Sequence, residues 1–102
     1  MKAILISACF ATFLPLDAFA ADVARPDDQY FAAYVINVSA EKMAARGEYE
    51  KALKGFRAAY KQIDEIVRQF PGWQSEMVKM RQNRIRTKIR EMEVKARLAR
   101  VG

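Results

Sequence analysis

Two interruptions, Gly47 and Pro71-Gly72, cut residues 29–100 into three segments of helical length, and this division constrains the fold more than any other feature. Gly47 falls where a left-handed residue closes a helix, with Arg46 as a suitable cation for the last turn. Pro71 disfavours helical geometry in the residue before it, and Gly72 loosens the next. The spacing predicts helices over about 29–46, 48–69 and 74–100, the first two forming an antiparallel hairpin. The chain is rich in alanine, lysine, arginine and glutamate and poor in glycine and proline, and its valines and isoleucines are scattered. That composition favours helix over strand, so the expected fold class is all-α.

The amino terminus reads as an export signal. Lys2 supplies a short positive end, Ala3 to Leu14 an apolar run, and Ala18-Phe19-Ala20 a small-x-small cleavage site. The run is shorter than the roughly 18–20 residues that span a bilayer. Residues 1–20 are therefore a signal peptide, 21–28 a leader, and 29–102 a single helical domain. A competing lipoprotein-type box, Ile6-Ser7-Ala8-Cys9, would leave almost no hydrophobic segment ahead of the cut. The expectation is a bacterial protein exported to the periplasm or beyond the cell after cleavage near Ala20. Cys9 would leave with the signal, and a domain this small without disulfides has to be held by packing or by a partner.

The second segment carries Tyr49, Ala52, Leu53, Phe56, Ala59, Tyr60, Ile63, Ile66, Val67 and Phe70 at the three-and-four spacing of a buried stripe. In the third, Val78, Ile85, Ile89, Met92, Ala96 and Ala99 share one face. Lys79, Arg86, Arg90 and Arg97 run along one flank of that face, and Arg81, Arg84, Lys88 and Lys95 along the other. Asp27 or Asp28 is placed to cap the first helix. Trp73, beside the proline turn, is a plug for the end of the hairpin, which leaves Tyr30 and Tyr34 as the tyrosines expected at the surface.

The turn Gly47-Glu48-Tyr49, with Ala52, Phe56 and Ala59 following, resembles the tetratricopeptide repeat, a helix-turn-helix unit in which small residues let two helices approach and aromatics fill the gap. On the first helix the family's small packing residue corresponds to Ala40 and its large neighbours to Ile36 and Met43. Ser39 stands where the family usually has leucine, and the terminal proline comes about two turns late, at Pro71. The resemblance covers residues 33–59 and implies a binding groove on the first helix, with Tyr34, Asn37, Ala40, Glu41 and Ala44 as contacts. About three such repeats are usually needed to bury a solenoid's core, so this chain implies an edge completed by a partner or a second copy.

Catalysis lacks its usual parts. There is no histidine, the lone cysteine lies in the signal, and the carboxylates are spread over helices without a paired arrangement. Ser39 and Ser75 have no neighbouring base, and no glycine-rich phosphate loop occurs. The expectation is a non-enzyme with no catalytic, cofactor-binding or metal-binding residues and no cofactor, acting in protein–protein interaction or assembly. The main polar anomaly is nine basic residues between Lys79 and Arg100 against Glu91 and Glu93, where most of the net charge of +6 resides. Lys79, Arg81, Arg84, Arg86, Lys88, Arg90 and Arg97 form the expected basic surface.

The alternative function is a basic amphipathic helix that binds an anionic membrane or cell-envelope polymer. Because the core and a bilayer would compete for the same apolar stripe, membrane contact would require the third helix to detach. Nucleic acid is disfavoured by the export signal and by the shortage of aromatics on that helix.

Overall fold

The computed structural model describes residues 25–101, so the expected signal peptide and the first half of the expected leader lie outside the described residues. Three helices follow: α1 over Pro26–Ala45, α2 over Tyr49–Gln69 and α3 over Ser75–Val101. The all-α hairpin with a longer third helix is as expected.

The start of α1 differs from expectation. It begins at Pro26 rather than near Gln29, with Arg25 as N-cap and neither aspartate capping. Proline fits the first helical position because its fixed φ suits a helix and its missing N–H had no partner there. Asp27 and Asp28 fall in the first turn, where their charge faces the positive end of the helix dipole. The other end matches its reading: Gly47 adopts φ +81. Glu48 N donates to the Met43 carbonyl at 2.9 Å and Gly47 N to that of Ala44 at 3.0 Å. These bonds satisfy carbonyls that the helix end would orphan.

After α2, Trp73 N donates to the Phe70 carbonyl at 3.0 Å, closing a tight turn around Pro71-Gly72. Gln74 then takes a left-handed φ of 43, a conformation costing about 1–2 kcal/mol for a residue with a Cβ. Trp73 packs on the core and tilts against Tyr30 with ring centroids 5.9 Å apart, closing the end of the hairpin.

α2 is the centre of the domain. Ala52, Leu53, Phe56, Ala59, Ile63 and Ile66 are buried, and Tyr49, Tyr60, Val67 and Phe70 half-buried, so the expected stripe is present in full. α1 and α3 both pack against it in antiparallel register. Ala40 meets Gly55, and Gln29 meets Gln69, across the first pair. Asp64–Gln82, Tyr60–Arg86 and Arg57–Glu93 pair across the second. From α1 the core takes only Ala33, Asn37 and Ala40; Ile36 and Met43 are half-buried beside them. From α3 it takes Val78, Ile85, Met92 and Ala96, with Ile89 half-buried. Ala99, expected on the core face, is exposed: it sits at the edge of that face and borders an open hollow beside the first turn of α2, lined by Gly47, Tyr49 and Glu50.

Gly55 is the residue that permits the α1–α2 approach: a Cβ there would lie 2.9 Å from the Cβ of Ala40. The obstructing atom is fixed to the backbone, so only a shift of one helix relieves the contact. Gly55→Val should cost about 1–3 kcal/mol of overpacking, read as a fall in the thermal or denaturant midpoint. Adding Ala40→Gly should recover part of the loss, whereas unchanged stability in Gly55→Val would refute this account.

Candidate functional site

Because both outer helices run antiparallel to α2, they lie parallel to each other, and their facing flanks enclose a cleft of about 340 Å³. Its walls are Asn37 and Glu41 from α1 and Arg81, Arg84, Ile85, Thr87 and Lys88 from α3. The floor is apolar, where Ile85 reaches the core. The rim carries three cations against one carboxylate.

Arg81 bridges the two helices. Its Nε donates to the Tyr30 hydroxyl at 3.3 Å, and its guanidinium lies 5.8 Å from the centre of the Tyr34 ring. That contact holds Tyr30 half-buried beside Trp73, so only Tyr34 of the two expected tyrosines is well exposed. Asn37 is buried, and its Nδ2 donates to Glu41 Oε2 at 3.5 Å, one turn along. This satisfies an amide that would otherwise be costly to bury and turns the carboxylate toward the cleft.

Among the residues expected to contact a partner, Tyr34 and Glu41 are therefore available and Asn37 lines the cleft from a buried position. Ala40 is fully buried against α2 and offers no surface, because the close crossing with Gly55 uses it. Ala44 is half-buried and packs on the core cluster.

The expected basic surface divides into three directions. Arg81, Arg84 and Lys88 face the cleft. Arg86 turns to α2, donating to the Tyr60 hydroxyl at 2.9 Å with its guanidinium near that ring. Lys79, Arg90 and Arg97 are exposed, and among the described residues none of them joins an ion pair.

Phe31, Val35 and Val38 were not anticipated. With Tyr34, Ser39 and Lys42 they form a shallow apolar trough on the side of α1 away from α2. Phe31 and Val35 are exposed. Their spacing of four, then three, gives a second stripe opposite Ala33 and Ala40, which could have been found by winding α1 as α3 was wound.

Comparisons of the chain with family models, curated proteins and solved structures found no match.

The Arg81 bridge sets the width of the cleft. A double-mutant cycle of Arg81→Met with Tyr34→Leu, read by denaturant unfolding, should give a coupling of about 0.5–1 kcal/mol. Strict additivity would show that the bridge does not tie α1 to α3.

Proposed function

We propose that this chain is an exported, non-catalytic interaction module built on a tetratricopeptide-like hairpin, and that its cleft between α1 and α3 receives an acidic segment of a partner protein. The observation that carries this reading is the convergence of Arg81, Arg84 and Lys88 on one apolar-floored cleft beside the exposed ring of Tyr34.

Each part of the cleft has a recognisable use. Arg84 and Lys88 are charged donors suited to carboxylates, and arginine in particular binds them through two parallel hydrogen bonds. Ile85 supplies an apolar floor, and Tyr34 a large amphipathic surface of the kind enriched where proteins bind each other. Glu41 sits among the cations and would repel a ligand that placed negative charge on its side of the cleft. That asymmetry supports recognition of a segment with acidic and neutral positions over uniform attraction to any polyanion. The apolar trough of Phe31, Val35 and Val38 adjoins Tyr34 and extends the contact surface.

Affinity capture from a cell-envelope extract, followed by titration of the recovered partner, tests the reading. Tyr34→Ala should abolish capture, and Arg84→Glu should weaken binding at least about tenfold, the scale of losing one charged hydrogen bond. Binding should persist at physiological salt, since part of the contact is apolar. Retention of full affinity in both variants would exclude the cleft as the docking site.

A further inference from the structure

We propose that the outward face of α3 is a second docking surface, directed at an anionic lipid bilayer. It can be used while the α3 core face stays packed on α2. The helix carries two apolar stripes. Val78, Ile85, Met92 and Ala96 are buried, whereas Met80, Val94, Leu98 and Val101 remain 56%, 45%, 62% and 81% exposed. At about 100° per residue the two sets wind to nearly opposite sides of α3. Detachment is therefore not required.

The charges on α3 are sorted in the same way. Cations turned toward the rest of the domain are engaged: Arg81 with Tyr30, Arg86 with Tyr60, and Arg100 with Glu50 at 3.4 Å. Bordering the exposed stripe are Lys79 and Arg90, with Arg97 at its edge beside the groove that holds Arg57 and Glu93, and among the described residues none of the three is ion-paired. Glu91, the acidic residue nearest this face, has its charge offset by Lys88 at 3.7 Å.

The result is a single-helix ridge of apolar side chains, with Asn83 and Thr87 between Met80 and Val94, flanked by unpaired cations. A narrow apolar ridge edged by long cationic stems offers little of the broad charge-free core that a protein interface uses. A bilayer surface suits it better: the apolar tips enter the acyl boundary while long basic stems keep their heads among anionic headgroups. No helix among the described residues is long and apolar enough to cross a membrane. This surface is separate from the cleft and does not depend on what the cleft binds.

Flotation of the full chain with phosphatidylcholine vesicles, with and without phosphatidylglycerol, tests the proposal. The phosphatidylglycerol-dependent part of binding should fall at least about tenfold in Arg90→Glu with Arg97→Glu, and should weaken as salt is raised to physiological strength. All the substituted residues are exposed, and circular dichroism verifies that the helices persist.

A local readout separates this face from the apolar amino terminus. An environment-sensitive dye on Leu98→Cys, in a Cys9→Ser background, should shift to the blue with anionic vesicles, while the same dye on Lys54→Cys of α2 should not. Flotation without a response at position 98 would overturn the proposal by placing the contact elsewhere. A response there to an acidic protein and not to vesicles would overturn it in favour of protein docking.

Discussion

The close crossing of α1 over α2 at Ala40 and Gly55 is the constraint from which the rest of the arrangement follows. Two positions without bulk let the backbones approach, so α1 can be held by two alanines and an asparagine instead of by large apolar side chains. Its larger residues are thereby released. Phe31, Val35 and Tyr34 lie on other faces of α1 than Ala33 and Ala40 and stay exposed. A helix that contributes so little volume to the core keeps an unusually apolar exterior, and that exterior is part of the proposed docking surface.

The central position of α2 has the complementary effect. Its stripe is wide enough to serve both neighbours, with Phe56, Ile63 and Ile66 as large side chains completely removed from water. Burying side chains of that size contributes about 1.5–3 kcal/mol each before the entropy of ordering the chain is set against it. Since α1 and α3 are each satisfied by α2, they need no continuous apolar contact with each other. They meet through Tyr30, Tyr34 and Arg81, and the space beyond that bridge is the cleft. A third helix packed evenly on both partners would have filled it.

The cation-rich α3 follows the same division of labour. Cations of α3 that touch the domain are engaged by the Tyr30 and Tyr60 hydroxyls and the Glu50 carboxylate, and those that face outward are left unpaired. Exposed ion pairs are individually worth little, commonly under about 1 kcal/mol, so Arg57–Glu93 at 2.8 Å serves register more than stability. Repulsion among the outward cations is an unfavourable term that an anionic surface would relieve.

Helix number, the two turns and the core face of α2 were legible in the sequence because each depends on local chemistry. A left-handed glycine, a proline and an apolar period act within a few residues of themselves. The same holds for Val78, Ile85, Met92 and Ala96 on α3. Other features depend on which helix lies opposite, and spacing alone does not carry that information. Gly55 reads as an ordinary weak point in a helix until Ala40 is placed against it. Ala40 and Asn37 look like groove residues until that crossing takes them inward, and Ala99 looks like core until it is found bordering an open hollow beside the start of α2. The sequence by itself determined three amphipathic helices and a concentration of charge on the last. Only the tertiary structure decided which cations are engaged and which are exposed, because that depends on which flank of α3 faces α2, which faces α1 and which faces neither.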